Sequence, residues 1–209
     1  MKTLLNLLFL IALLLTACAK KNNDGTPDNA VRINGTIYPT VVIGSQTWTS
    51  VNYNGPGGLN YNNGANDPVY GKLYSYTEAF AITPPSGWHL PTQGDFTTLF
   101  NTLGALPDNQ NYYVLPDSTG RKLMSIATWA YGTGNNKTGF NAVGSGFVIN
   151  GNFSNLGHIT NILTSSKFPD GENISFEIYN EYGNTVIADL NAVIPKNTDR
   201  GSVRFVKNN

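Results

Sequence analysis

The chain has 209 residues, of which 12% are charged, and its formal net charge at pH 7 is zero. This charged fraction is well below the roughly 25% typical of soluble domains, and no basic stripe with interleaved aromatic residues occurs, which argues against nucleic-acid binding. The single cysteine excludes an intramolecular disulfide, so an exported domain would depend on its core for stability.

The N-terminus predicts an export signal and a lipid anchor. Residues 1–17 place Lys2 ahead of an apolar run too short to span a bilayer, as in a signal peptide. The small residues before Cys18 resemble a bacterial lipobox, in which cleavage precedes the cysteine and its thiol carries a diacylglycerol. We expect lipid attachment at Cys18, a flexible tether over residues 18–30, and one domain over residues 31–209. An ordinary secretory signal with an incidental cysteine is the alternative.

The first quarter of the domain predicts strands. β-branched and aromatic residues flank Asn34-Gly35 and then Gly44-Ser45, which are hairpin patterns. Residues 54–68 are rich in Gly, Asn and Pro and predict a turn-forming loop with little capacity to pack.

Two helices follow. Leu73, Tyr76, Ala79 and Phe80 share one helical face and predict a helix over residues 71–82. In the second, Thr92 and Asp95 resemble a capping box with Asp in place of Glu. Apolar residues then recur at helical spacing, and Gly104 closes this helix; these residues are Phe96, Leu99, Phe100 and Leu103.

The second half predicts mainly strands and loops. Two helices among many strands favour an α+β fold over a parallel α/β sheet. The predicted segments are a short strand or turn over 120–126, a polar loop over 129–139, a hairpin turning at Asn150-Gly151, strands over 162–166, 175–180 and 185–189, a turn at Gly183-Asn184 between the last two, and a closing strand over 202–206.

Several motifs together resemble one family. "YPTVVIGSQTWTSVNYN", "GKLYSYTEAF", "GWHLPTQGDFTTLFNTLG", "NNKTGFNAVGSG" and "GSVRFVKNN" follow one another as in the Fibrobacter succinogenes major paralogous domain, which is common among Bacteroidetes lipoproteins. "GWHLPTQGDF" also resembles a segment of formylglycine-generating-type domains. The resemblance implies a C-type lectin-like fold, in which two helices flank small twisted antiparallel sheets, the terminal strands pair, and a long-loop region carries ligands. It implies a cell-surface setting and no established activity.

Two departures from the resembled families bear on chemistry. Phe205 stands where the major paralogous family usually has cysteine. The formylglycine-generating chemistry relies on cysteines, and this chain has none besides Cys18, so that chemistry is excluded.

The segment Pro85–Phe96 decides between an enzyme and a binding module. His89 is the obvious general base, but a base needs an orienting partner and a reactive group within reach. Asp95 is better explained as a residue that caps the N-terminus of the second helix. We therefore interpret Trp88, His89, Thr92 and Asp95 as a structural corner, with His89 packed beside Trp88 or bonded to the backbone. No residue is predicted to be catalytic.

No metal or cofactor is predicted. Two histidines without cysteine partners give no zinc pattern, and the motifs of calcium-dependent sugar-binding lectins are absent. Residues 169–173, "PDGEN", offer oxygen ligands but are better explained as a hairpin turn.

The leading hypothesis is a non-catalytic, lipid-anchored outer-membrane protein that is exposed on the cell surface and binds glycans or a surface protein. Aromatic residues beside Asn and Gly make good recognition surfaces, and the loop that holds them lies at the long-loop position; its candidate residues are Trp129, Tyr131, Asn135, Asn136 and Lys137. Ser118 in Asp-Ser-Thr resembles an O-glycosylation acceptor, with a polar turn as the alternative. The other functions considered are a structural subunit of a surface assembly and a hydrolase using Asp95, Asp170 and Glu172.

Overall fold

The computed structural model describes residues 25–64, 67–104, 117–132, 134–181, 185–193 and 198–209. The strands in these ranges are β1 (Ala30–Ile33), β2 (Thr36–Ile43), β3 (Gln46–Thr49), β4 (Leu73–Tyr74), β5 (Ser145–Ile149), β6 (Asn152–Leu156), β7 (Ile159–Lys167), β8 (Asn173–Glu181), β9 (Thr185–Val193), β10 (Gly201–Ser202) and β11 (Val206–Asn208). The helices are α1 (Tyr76–Ala81), α2 (Gln93–Thr102) and α3 (Asp117–Leu123), with a 3-10 turn at Tyr61–Asn63.

The first sheet has the order β1-β2-β3-β11. Its first hairpin turns at Asn34 and Gly35, both at positive φ (46° and 82°), as a type I′ turn requires. The prediction of this hairpin is confirmed, as is that of the β2–β3 hairpin. Pro39 is tolerated within the central strand β2 because β1 pairs with residues 36–39 while β3 pairs with residues 40–43.

The first and last strands lie at opposite edges of this sheet. Val206 of β11 pairs antiparallel with Trp48 of β3, whereas β1 pairs only with β2 among the described residues, so the expected pairing of the N- and C-terminal strands is wrong. The predicted single closing strand over residues 202–206 is wrong, because Ser202 pairs within the second sheet and Val206 within the first. The intervening residues Val203–Phe205 cross between the sheets and are buried.

The second sheet has the order β4-β10-β7-β5-β6, with β8 pairing to both β7 and β9. β7 runs parallel to β5 and to β10, so the expectation of purely antiparallel sheets is wrong. The hairpin at Asn150-Gly151 is confirmed, with both residues at positive φ. β7, β8 and β9 contain the predicted strands and extend beyond them; the turn predicted at Gly183-Asn184 lies outside the described residues.

The helices correct the sequence analysis at two places. α1 begins at Tyr76 rather than residue 71, because Ser75 and Glu78 form a capping box and Leu73–Tyr74 pairs with β10. Phe80, expected on the buried face, is 50% exposed. Residues 117–123 form α3, where a short strand or turn was expected over residues 120–126. The α2 prediction is confirmed, including the Thr92–Asp95 capping box.

Two apolar clusters fill the interior. One lies between α2 and the second sheet and is centred on Trp48, Phe96 and Phe176. The other contains Tyr53 and Phe205, whose rings meet edge to face with centroids 5.8 Å apart. The fold is mostly β, with mixed sheets and few helices.

The folded part of the chain starts before residue 31. Thr26 is 2% exposed, the Thr40 N–H donates to Asn29 O at 2.8 Å, and Ala30 belongs to β1. The last residues of the predicted tether therefore pack on the domain. No helix among the described residues has the length and apolar character needed to cross a bilayer.

Candidate functional site: a groove beside the Trp88 corner

The corner over Pro85–Phe96 is tied to the C-terminal segment. The Trp88 N–H donates to Pro85 O at 3.0 Å, which closes a turn around Gly87 at φ 84°. His89 and Val206 exchange backbone hydrogen bonds of 2.9 and 3.0 Å. The corner therefore extends the first sheet at the point where β11 begins, and its position depends on the chain end.

Asp95 joins the parts of this corner. Its Oδ2 accepts from the Thr92 N–H at 2.8 Å and the Thr92 hydroxyl at 2.6 Å, and His89 Nε2 lies 3.0 Å away. Its Oδ1 accepts from Gln46 Nε2 at 3.1 Å. The sequence favours helix capping over an interaction with His89 for Asp95, and the structure corrects this, because the carboxylate caps α2 and also contacts the His89 side chain.

The surroundings of the Asp95 carboxyl favour its ionised form. Burial raises the pKa of the Asp95 carboxyl, but the hydrogen bonds from Thr92 and the contact with His89 outweigh burial and lower it below its ordinary value. An ionised carboxylate with four donors can orient its neighbours. It makes a poor proton acceptor because its lone pairs are engaged.

A groove lies on the outer side of this corner. It is a cavity of about 560 Å³, within the approximate 300–1,000 Å³ range of ligand pockets. Its walls come from the start of the fold, the first sheet, the corner and the chain end; the lining residues are Asp28, Asn29, Ala30, Thr40, Val41, Val42, Thr47, Trp88 and Lys207. The lining combines an indole, three apolar side chains and several polar groups.

The polar groups of the groove are largely uncommitted. Trp88 is half-buried against the second apolar cluster, and no described residue accepts a hydrogen bond from its Nε1. The side chains of Asp28, Thr40 and Lys207 likewise make no hydrogen bond or ion pair within the described part of the chain. An indole bordered by free donors and acceptors can stack on a ligand ring and bond its polar groups.

The loop predicted to bind ligands has one aromatic residue in the core and one at the surface. Trp129 is 9% exposed and its Nε1 donates to Ala142 O at 3.0 Å, so it belongs to the core. Tyr131 is 41% exposed, and its ring meets that of His158 edge to face with centroids 5.0 Å apart. Of the predicted aromatic pair, Tyr131 is therefore the one that lies at the surface.

The polar residues of that loop hold its turns. Asn135 Oδ1 accepts from the Lys137 N–H at 3.2 Å, and Asn136 Oδ1 accepts from the Asn141 N–H at 2.8 Å. Asn136 has a φ of 46°, a conformation that Asn adopts more readily than most residues. Their amide oxygens are thus engaged in local structure, while Lys137 is exposed.

The three carboxylates considered for hydrolysis lie in two different parts of the fold. Asp95 is buried in the corner, whereas Asp170 and Glu172 are exposed in the β7–β8 turn, where Asp170 Oδ1 accepts from the Glu172 N–H at 3.1 Å. No cluster of three metal-ligating His, Cys, Asp or Glu residues occurs among the described residues.

Sequence reasoning missed another carboxylate pair. Glu177 of β8 is opposite Asp189 of β9, and Glu177 Oε2 accepts from Asn161 Nδ2 at 3.3 Å. Burial, with a contribution from Asp189, raises the pKa of the Glu177 carboxyl even though the Asn161 bond lowers it. Hydropathy alternation along these strands is the signal that would mark these partly buried charges, which alternate with the core residues Phe176 and Ile178 and so lie on the opposite face of the sheet.

The two covalent attachment sites differ in what the structure says of them. Ser118 lies in the first turn of α3 and is exposed, so its hydroxyl is accessible. Cys18 lies outside the described residues.

Three groove residues were missed for identifiable reasons. Asp28 lies in a segment interpreted as tether, and Lys207 lies in the last of the family motifs, for which the sequence predicts no binding role. Trp88 is interpreted from its turn context as part of a structural corner. Only the pairing of β11 with β3 and of His89 with Val206 brings these elements together.

Comparison with known proteins gives a family. No curated protein and no solved structure matches the chain. The model of the Fibrobacter succinogenes major domain matches residues 41–207, which include the corner, Val41 and Val42 of β2, all of β3, and Lys207. Since the match covers most of the chain, this protein belongs to the Fibrobacter succinogenes major domain family.

Proposed function

We propose that this chain is a non-catalytic, lipid-anchored cell-surface protein that binds glycans in the groove beside Trp88. The observation that carries the proposal is the half-buried Trp88 indole, whose free N–H borders a cavity of about 560 Å³. Saccharide rings offer an apolar face for stacking and hydroxyls that both donate and accept. The groove supplies matching groups in Trp88, Asp28, Thr40 and Lys207.

The proposed anchor places this groove close to the membrane. The proposed lipid is on Cys18, and Asp28, ten residues later, lines the groove. An extended chain spans at most about 3.6 Å per residue, so the groove is within about 36 Å of the lipid. We propose that the membrane is the outer membrane, that the protein is exposed on the cell surface, and that its ligands are membrane-proximal.

The finer fold assignment is part of the proposal. A C-type lectin-like arrangement is supported by the first and last strands, which share one sheet, by the helices α1 and α2, and by long loops after β3 and α3. Within that arrangement the groove lies on the terminal-strand sheet, whereas Tyr131 lies on the loop that the resemblance associates with ligands.

A glycan-array screen of residues 19–209, with and without calcium, tests the function. These residues include every one that the structure describes. We expect binding in both conditions, because the groove has a single carboxylate. Trp88→Ala should weaken binding at least tenfold, a loss of about 1.4 kcal/mol, and Trp88→Phe should retain part of it.

Tyr131→Ala is the matched control, since Tyr131 is an exposed aromatic outside the groove. If Tyr131→Ala abolishes binding and Trp88→Ala does not, the predicted loop is the site and the groove assignment is wrong. Loss of binding on adding a chelator would show a metal-dependent site. Absence of binding across the array would overturn the glycan proposal.

A structural subunit of a surface assembly is the second candidate. Among the described residues, the nine-residue strand β9 pairs only with β8, and an unpaired edge can accept a strand from another chain. This candidate predicts self-association or capture of a partner that is unaffected by Trp88→Ala. Analytical ultracentrifugation of residues 19–209 and of that variant distinguishes the two functions.

A further inference from the structure

A second cleft lies between the loop after β3 and the β5–β6 hairpin. It has a volume of about 180 Å³, which suits a small head group rather than an extended chain. Its lining residues are Tyr61, Asn62, Asp67, Tyr70, Gly71 and Leu156. None of them lines the Trp88 groove, so this cleft is a separate feature.

The first tyrosine is held in place by the hairpin beneath it. The Tyr61 ring lies 5.2 Å from that of Phe153, centroid to centroid. A Cβ added to Gly146 would lie 2.8 Å from Tyr61 Cε2, so the ring sits directly over the glycine backbone. Gly146 has a φ of 65°, a conformation that favours glycine. The ring therefore has a seat that a side chain at residue 146 would fill.

The opposite wall is fixed by a closed turn. The N–H groups of Tyr70 and Gly71 both donate to Asp67 O, at 3.2 and 3.1 Å, and Asp67 Oδ1 accepts from the Val69 N–H at 2.9 Å. Asn52 Nδ2 donates to Tyr70 O at 2.9 Å and anchors the turn to the core. The Asp67 carboxylate and the backbone of Tyr70 are thus positioned before any ligand arrives, which reduces the entropy cost of binding.

The charge of the cleft favours a cationic ligand. Asp67 makes no ion pair among the described residues, its Oδ2 makes no hydrogen bond there, and no Lys or Arg lines the cleft. Lys72, nearby in sequence, donates instead to the carbonyls of Gly55 and Gly57. Two aromatic faces and an uncompensated carboxylate attract a cation and repel an anion.

We propose that this cleft binds the ammonium group of a small organic cation, between the rings of Tyr61 and Tyr70 and beside Asp67. The rings attract the cation through their quadrupoles, Leu156 contacts its alkyl part, and Asp67 supplies the opposite charge. This inference is independent of glycan binding in the Trp88 groove.

Isothermal titration of residues 19–209 with choline, n-butylammonium and 3,3-dimethyl-1-butanol tests it. The last compound is the neutral isostere of choline. At least one cation should bind at least tenfold more tightly than the neutral alcohol. A preference for choline identifies a quaternary ammonium ligand, and a preference for n-butylammonium identifies a primary one; both outcomes support the cation site.

Matched variants assign the contributions. Asp67→Asn should bring the ratio of cation to neutral affinity towards one, while Asp28→Asn, which alters the only carboxylate of the other groove, should leave it unchanged. Tyr61→Phe should retain binding, because the ring remains, and Tyr61→Leu should lose it at least tenfold. Thermal unfolding of each variant verifies that it is folded.

Equal affinity for choline and its neutral isostere would overturn the proposal, as would an undiminished ratio in Asp67→Asn. Binding of neutral monosaccharides with no response to either cation would also overturn it and make the cleft a second saccharide site.

Discussion

His89 Nε2 lies 3.0 Å from Asp95 Oδ2, and the same carboxylate oxygen accepts two hydrogen bonds from Thr92. Through this contact, His89 connects the Trp88 corner to the start of α2. Gln46 extends the connection to the chain end, since its Nε2 also donates to Asn208 Oδ1 at 3.3 Å. The corner, α2 and β11 thus form one polar unit.

Asp95 should make the protein sensitive to acid. Its folded-state pKa lies below its ordinary value of 3.8 despite burial, because of the Thr92 and His89 contacts. Its stabilisation is therefore complete above the unfolded pKa and is lost as the pH falls through the folded pKa. Asp95→Asn should cost about 1–2 kcal/mol at pH 7. Urea unfolding at pH 7 and at pH 2 should show the two proteins converging in acid; a constant difference would contradict the assignment.

The contribution of Glu177 to stability should depend on pH in the opposite direction to that of Asp95. Its folded-state pKa is raised by burial, with Asp189 adding to the effect, so its contribution is favourable below the unfolded pKa and is lost as the pH rises through the folded pKa. Glu177→Gln should stabilise the protein at pH 7 by on the order of 1 kcal/mol and give no gain at pH 3. Urea midpoints at both pH values measure this. A loss of stability at pH 7 would mean that the ionised carboxylate has a favourable partner.

Arg204 should be among the most costly residues to replace. It is fully buried, its guanidinium carbon lies 4.6 Å from the centroid of Phe140, and burial lowers its pKa to about 9, so it remains charged at neutral pH. It donates to Asn52 Oδ1, to Asn141 O and to the carbonyls of Thr49 and Phe140. Arg204→Met leaves these acceptors buried without a donor and should cost about 3–5 kcal/mol.

Arg204→Lys separates charge from geometry. Lysine keeps the positive charge but lacks the planar fork that reaches several carbonyls, so its cost in urea unfolding should lie between those of wild type and Arg204→Met. Equal costs for the two variants would show that charge contributes little. A cost below 1 kcal/mol for Arg204→Met would show that the hydrogen bonds from Arg204 contribute little to stability.

Glu78 and Arg200 should be energetically coupled. Glu78 Oε2 accepts from the Ser75 N–H at 2.8 Å in the α1 capping box and also pairs with Arg200. A double-mutant cycle with Glu78→Gln and Arg200→Met should give a coupling energy of about 1 kcal/mol, because the pair is partly exposed. Ser75→Ala, which removes the cap, should cost about 1 kcal/mol without affecting Arg200. A coupling energy near zero would mean that the ion pair makes no contribution.

Gly146 and Gly151 form a matched pair of glycine substitutions. Both have positive φ (65° and 79°), so alanine is strained at each by about 1–2 kcal/mol. A Cβ at Gly151 meets nothing within 4 Å, whereas one at Gly146 would lie 2.4 Å from Ser154 O and 2.8 Å from Tyr61. Gly146→Ala should therefore cost at least 1 kcal/mol more than Gly151→Ala in urea unfolding. Equal costs would mean that Tyr61 is not seated over the hairpin.

Local signals predicted the hairpins and α2 well. Asn34-Gly35 and Asn150-Gly151 require positive φ at both residues, which few other pairs tolerate, so their turns follow from sequence. α2 combines a cap, an apolar stripe and a terminal glycine. Each of these signals acts within a few residues and needs no knowledge of the rest of the fold.

Non-local pairing explains the errors. Leu73 matches a helical face with Tyr76 and Phe80, but Leu73 and Tyr74 form a strand because they pair with β10, more than a hundred residues away. The closing strand divides because its two ends belong to different sheets. The groove was missed for the same reason. No local pattern indicates that Asp28, Trp88 and Lys207 lie together, because strand pairing between distant parts of the chain brings them together.

The closeness of the groove to the start of the fold has a mechanical consequence. Asp28 and Ala30, which line the groove, immediately follow the segment that connects the domain to its proposed anchor. If a cell is pulled through a ligand bound in the proposed groove, the tension passes from the tether into β1 and β2 and reaches the ligand through the groove wall and the Trp88 corner. The strands β8 and β9 contribute no residue to the groove. Such a protein could sustain drag at its binding site while these two strands carry little of the load.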